Sequence, residues 1–158
     1  VARAREVPGF DCDEVFAAAA ARVVVVRAAE VFEHAEGVLD IEEIERLHDM
    51  RVATRRLRAA LEVFEPCFPR KRFRKALKRV KALADALGER RDADVELEFL
   101  RGFAAEAPAT DHEALATLIA AVRGEQDEAN EALAPYVTAK RLRKLRRRLD
   151  KLVRGAEA

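Results

Sequence analysis

From Leu47 to Phe64 the apolar residues recur with the period of an α-helix, and most of the residues on the opposite side are cationic. At about 100° per residue, Met50, Ala53, Leu57, Leu61 and Phe64 fall on one side of a helix, while His48, Arg51, Arg55 and Arg58 lie within roughly 80° of one another on the other. Such a segment buries its back and presents positive charge from a fixed scaffold. The natural ligand for that face is a polyanion. The next segment, Arg70 to Leu87, repeats the arrangement: Lys71, Arg74, Lys75, Lys78 and Lys81 share one stripe, and Phe73, Ala76, Leu77, Val80, Leu83, Ala84 and Leu87 share the other. If the two helices pack antiparallel through their apolar stripes, their long cationic side chains can converge on one ligand.

The rest of the chain is punctuated in the same helical style. Asp11 or Asp13 is placed to cap a first helix running to about Glu36, with Gly37 as its stop. Asp40 and Glu43 have the spacing of a capping box before a second helix from Ile41 to about Phe64. Pro66 and Pro69 separate it from the third, Arg70 to Leu87, which Gly88 closes. Asp92 or Asp94 then opens a short fourth helix to about Ala105, with Val95, Phe99, Leu100 and Phe103 as core residues. A fifth helix spans about Asp111 to Ala134, between Pro108 and Pro135. A sixth, Thr138 to Val153, aligns Leu142, Leu145, Leu149 and Leu152 on one face. Connections this short make neighbours antiparallel, so the expected fold is all-α, an antiparallel helical bundle of about five to six helices in a single domain over residues 1–158.

The net charge of +1 conceals a block pattern. Residues 1–45 carry −7, residues 46–81 carry +10, residues 82–137 carry −9 and residues 138–158 carry +7. Mutual neutralisation of acidic and basic helices would account for the blocks, although interhelical ion pairs are individually weak. It accounts less well for a continuous cationic stripe.

Several functional classes find no support. No glycine-rich phosphate loop follows a strand, which excludes P-loop nucleotide hydrolysis. The apolar run Val15 to Val26 is broken by Arg22 and is too short to span a membrane, and no secretory signal is visible. Cys12 and Cys67 lack metal-ligand spacing and read as reduced thiols of a cytosolic protein. Asp92, Asp94, Glu96 and Glu98 read as capping and dipole-complementing acids rather than metal ligands, so neither metal nor cofactor is expected. With no tryptophan, and Tyr136 as the only tyrosine, there is little to stack on nucleic-acid bases.

The stretch Leu47-His48-Asp49-Met50-Arg51-Val52-Ala53-Thr54-Arg55-Arg56-Leu57-Arg58-Ala59-Ala60-Leu61 resembles the signature helix of the conserved histidine α-helical domain, the CHAD domain. Leu87-Gly88-Glu89-Arg90-Arg91-Asp92-Ala93-Asp94-Val95 is similar to that family's second recurrent segment. The resemblance implies a non-catalytic helical domain whose basic channel binds inorganic polyphosphate and can direct proteins to polyphosphate granules in the cytoplasm. Carried over by position, the polyphosphate-binding set is His48, Arg51, Arg55, Arg58, Lys71, Arg74, Lys75 and Lys78, whereas Arg56 points off the stripe and Arg91 and Asp92 stabilise the bundle. Members typically have two related halves, each with its own histidine-bearing basic helix. Here one such motif is present, and His34 and His112 lie among acids, so the expectation is an excised half or a homodimer that restores the second half. The basic helix from Lys140 to Lys151 has no histidine and is left outside the ligand set. The rival readings are a nucleic-acid-binding helical protein and a helical scaffold in which Arg51, Arg55 and Lys78 are internally salt-bridged.

Overall fold

A computed structural model describes residues 3–11 and 13–156, and in it five α-helices follow one another. They are α1 (Phe16–Glu33), α2 (Ile44–Val63), α3 (Arg70–Glu106), α4 (His112–Leu133) and α5 (Ala139–Val153). Single 3-10 turns at Glu65–Cys67, Ala109–Asp111 and Ala134–Tyr136 lie between α2 and α3, α3 and α4, and α4 and α5. The fold is all-α, as the apolar periodicity requires. No helix among the described residues is long and apolar enough to cross a membrane.

The largest departure from the sequence reading is α3. The expected third and fourth helices are one continuous rod of 37 residues, and Gly88 lies in its interior. A glycine ends a helix by adopting positive φ, and only Gly9 and Gly37 do so among the described residues. Gly88 instead keeps helical geometry at a propensity cost of about 1 kcal/mol. That cost is offset because the inward-facing pattern continues across it: Leu83, Leu87, Arg90, Ala93, Asp94, Leu97 and Leu100 are all buried. Asp92 and Asp94 are therefore mid-helix residues and cap nothing. The expected core on this segment is corrected in the same way. Leu100 is buried, but Val95, Phe99 and Phe103 are 48%, 69% and 55% exposed, because the phase set upstream turns them away from α4.

Smaller corrections fall at the first two helix starts. α1 begins at Phe16 with no side-chain cap, and Asp11 accepts from the Asp13 N–H at 3.1 Å instead. Asp40 likewise accepts from the Glu42 N–H at 2.9 Å, which makes a local turn, and α2 begins three residues later than expected, at Ile44. Gly37, at φ 71°, does form the left-handed turn after α1. Thr138 caps α5, accepting from the Arg141 N–H at 3.3 Å. Cys67 is a buried free thiol, while Cys12 lies outside the described residues.

α3 organises the molecule. The Arg72 guanidinium donates to the Lys151 carbonyl at 3.4 Å, Ala82 and Leu83 share a groove with Arg141 and Leu145, and Gln126 donates to Asp94 at 2.7 Å. The partner numbers fall as the α3 numbers rise, so α5 and α4 both run antiparallel to it, α5 along its first half and α4 along its second. The main core is built by α1, α2, α5 and the first half of α3, around Val24, Val31, Leu47, Leu57, Leu61, Phe73, Val80, Leu87, Leu149 and Leu152. A second, smaller cluster of Leu97, Leu100 and Val122, with Ile119 against it, joins α4 to the far half of α3.

Between the two clusters lies a charged centre. Arg90 and Asp94, both with side chains 0% exposed, form an ion pair one helical turn apart, and Asp94 also accepts from Gln126. Burial pulls the Arg90 guanidinium below its ordinary range, an effect that Asp127 opposes and Arg91 reinforces. Of the two residues expected to stabilise the bundle, Asp92 is exposed and Arg91 is half-buried with its Nη1 sealed from solvent, while the interior itself is held by Arg90 and Asp94.

Candidate anion-binding face

α2 and the first half of α3 pack directly against each other, joined by the short Glu65–Cys67 turn. Met50, Ala53, Leu57 and Leu61 are fully buried, which fixes the rotation of α2 and turns the opposite stripe outward. Arg51 and Arg58 are half-buried along their stems, and Arg55 is exposed. His48 is half-buried, with its Nδ1 sealed from solvent and no hydrogen-bond partner among the described residues. On α3, burial of Phe73, Ala76, Val80 and Leu83 leaves Lys71, Arg74, Lys75 and Lys78 exposed.

Glu62 marks the seam between the helices. Its Oε1 accepts from Arg58 Nε at 3.1 Å and lies 3.2 Å from Lys81 Nζ of α3. The hydrogen bond from Arg58, then that from Lys81, holds the Glu62 carboxyl below the usual carboxylate range. One carboxylate thus joins the edge of the α2 stripe to the edge of the α3 stripe. Beyond the seam, one shallow depression is lined by Arg74, Leu77, Lys78, Lys81, Ala82 and Asp85, and a second by Arg70, Lys71, Arg74 and Lys75. Arg74 belongs to both, so the two are contiguous.

Charge pairing elsewhere does not reach this face. Arg5, Arg22 and Arg27 pair with Glu33, Glu14 and Glu30, and Arg123 of α4 pairs with Glu42 before α2. Among the described residues, no ion pair or hydrogen bond engages the side chains of Arg51, Arg55, Lys71, Arg74, Lys75 or Lys78. Of the predicted set, only Arg58 is neutralised.

The placement also works against the helix itself. The first turn of α3 holds Arg70, Lys71 and Arg72 and no acid, although a helix N-terminus favours negative charge. Each cation so placed costs a few tenths of a kcal/mol. An anion resting in the depression beside Arg70, Lys71, Arg74 and Lys75 would meet both the cations and the positive end of the helix.

The sequence reading missed the part played by Glu62, whose i,i+4 spacing from Arg58 was a readable signal. It also missed Arg70 as a lining residue. Its link to Lys71 and Arg74 depends on where the helix starts, and Pro66 and Pro69 constrain that start only loosely.

No curated protein matches this sequence. The family model of the CHAD domain matches residues 26–158, which takes in the whole of the face just described, and the chain therefore belongs to the CHAD-domain family.

Proposed function

We propose that the protein is a non-catalytic module that binds inorganic polyphosphate along the joined cationic stripes of α2 and α3. The observation that carries this reading is the run of exposed arginines and lysines with no acidic partner, held on two helices whose opposite faces are locked into the main core. Exposed cations left uncompensated repel one another, and a linear polyanion relieves that repulsion along its length. Arginine forks would take pairs of phosphate oxygens, and the lysines would act as movable point charges. His48 adds a ring nitrogen at the end of the α2 stripe.

A hydrolytic role would need an activated nucleophile on this face. Thr54, the hydroxyl of α2, is buried and donates to the Met50 carbonyl at 2.8 Å, Cys67 is buried on the core side, and the Nδ1 of His48 is sealed from solvent. The same reading favours a second copy as the source of the other half of a two-sided channel, and a cytoplasmic location at polyphosphate granules.

The test is competition binding of labelled long-chain polyphosphate to the wild type and to Arg51→Ala/Arg55→Ala, at two salt concentrations with duplex DNA as competitor. Loss of about tenfold or more in affinity, a shallower salt dependence and poor competition by DNA are expected. Unchanged binding by the double variant would remove the site from α2. Equal competition by DNA at matched charge would make the protein a general polyanion binder.

A further inference from the structure

On the other flank of α3, away from α2, a second groove opens against α5. Its sides carry Arg79 from α3 and Arg141, Lys144 and Arg148 from α5. Its floor is made of Ala82, Leu83 and Leu145, the two leucines almost wholly buried, and Tyr136 completes the lining. The α5 cations lie at i, i+3 and i+7 and so share one face, while Leu145, Leu149 and Leu152 fix that helix against the core.

Three features separate this groove from an ordinary solvated surface. No carboxylate lines it. No side-chain ion pair or hydrogen bond occupies Arg79, Arg141, Lys144 or Arg148 among the described residues; Arg141 donates to Thr138 from its backbone N–H. The groove also meets the face described above, since Ala82 lines both it and the depression formed by Arg74, Lys78 and Lys81.

Bare polyphosphate would use the cations and gain nothing from the Tyr136 ring. A ligand with phosphates at one end and a flat apolar ring at the other would use both. Its ring would stack on Tyr136, which is 42% exposed, and its phosphates would run between Arg79 and Arg148 toward Lys78. We infer that the α3/α5 groove is a site for a nucleoside polyphosphate, adjoining the polyphosphate face and distinct from it in carrying an aromatic ring, Tyr136. The inference rests on the groove itself and stands if the α2 face proves to bind something else.

The experiment is isothermal titration of the full chain with ATP and with inorganic tripolyphosphate at equal ionic strength. ATP is expected to bind about tenfold more tightly, the advantage that one stacked ring confers. Tyr136→Ala should abolish that advantage, and Tyr136→Phe, which keeps the ring, should retain it. Arg141→Ser/Arg148→Ser should weaken both ligands, with helicity unchanged by circular dichroism. Arg51→Ala/Arg55→Ala should leave the ratio of the two affinities intact while reducing long-chain polyphosphate binding, so failure of the α2 reading and failure of this one are separable. ATP binding no tighter than tripolyphosphate, or a ratio indifferent to Tyr136→Ala, would overturn the proposal. Displacement of ATP by a short single-stranded oligonucleotide at far lower concentration than ATP itself requires would also overturn it, by giving the groove to nucleic acid.

Discussion

The two halves of α3 face different neighbourhoods and are stabilised differently. The first half joins α1, α2 and α5 in a core of aliphatic side chains, and its exposed surface is cationic. The second half has α4 as its principal helical neighbour, with the small Leu97, Leu100 and Val122 cluster, a buried ion pair and an acidic exterior. Opposite charges that would cancel in a compact bundle are instead separated along one rod. Because the acids of residues 82–137 lie mostly with α4 and the far half of α3, they do not quench the cations of residues 46–81. The hairpin formed by α4 and the second half of α3 therefore matters to binding chiefly through where it keeps negative charge.

The contrast predicts that the hairpin fails first when its polar centre is broken. Asp94→Ala removes the ion-pair partner of Arg90 and the acceptor of Gln126, and leaves a buried guanidinium uncompensated. A loss of about 3–5 kcal/mol is expected. Hydrogen exchange should show α4 amides losing protection well before those of α2. Replacing both charges, Arg90→Met/Asp94→Leu, should recover most of the loss, because an apolar pair of similar volume removes the desolvation cost. Equal destabilisation by the single and double changes would mean that the pair contributes through its shape alone.

In the aliphatic half the corresponding break is Leu57→Ala, at a fully buried position of α2. A loss of about 2–5 kcal/mol in denaturant unfolding is expected from the removed methyl and methylene groups and the cavity left behind. Here α1, α2 and α5 should lose protection together, since one contiguous core joins them.

How much of this contrast the sequence discloses depends on the range of the interaction concerned. The stripes of α2 and of the first half of α3 are readable because period and amphipathicity are local, and burial of Leu57, Leu61, Phe73 and Val80 follows from them. The Arg90–Asp94 pair also had a local signature, an arginine and an aspartate at i,i+4, but it was hidden by the assumption that Gly88 ends a helix. That assumption fails because a glycine's effect depends on its φ, which the neighbours decide. The exposure of Phe99 was not readable at all. Its pattern calls for a third layer, and nothing local states that the hairpin has only two. The α3/α5 groove is long-range in the same way, since Arg79 and Arg141 are 62 positions apart in the chain and meet only because α5 folds back along α3.

Glu62 sharpens the comparison at the seam, where an acid pairs with cations of both stripes. Glu62→Gln releases Arg58 and Lys81 and removes a negative charge from the seam. Polyphosphate affinity should rise by about two- to fivefold at low salt, an effect that shrinks as salt screens it. The pH dependence carries the sign of a depressed carboxyl. The contribution of the pairs to stability is fully present above the ordinary glutamate value of about 4.3 and is lost as pH falls through the lowered folded value. Between pH 7 and 5 Glu62 stays ionised and contributes no change. Once pH falls below that lowered value the wild type should come to resemble Glu62→Gln in affinity, whereas the variant itself should show no such limb. The stability change is small, because both partners are two-fifths exposed.

The smallest effect is expected on the outer face of the hairpin. Phe99 and Phe103 stack with ring centroids 6.4 Å apart, yet both remain mostly in solvent. A phenylalanine that stays 69% exposed has buried little apolar surface by folding, so Phe99→Ser should cost under about 1 kcal/mol, in contrast to the cost at Leu57. Thermal unfolding of Phe99→Ser and of Leu57→Ala, measured side by side, sets the scale. A loss at Phe99 approaching that at Leu57 would show that the ring is covered in solution, and the two-layer description of the hairpin would have to give way to one with a third layer.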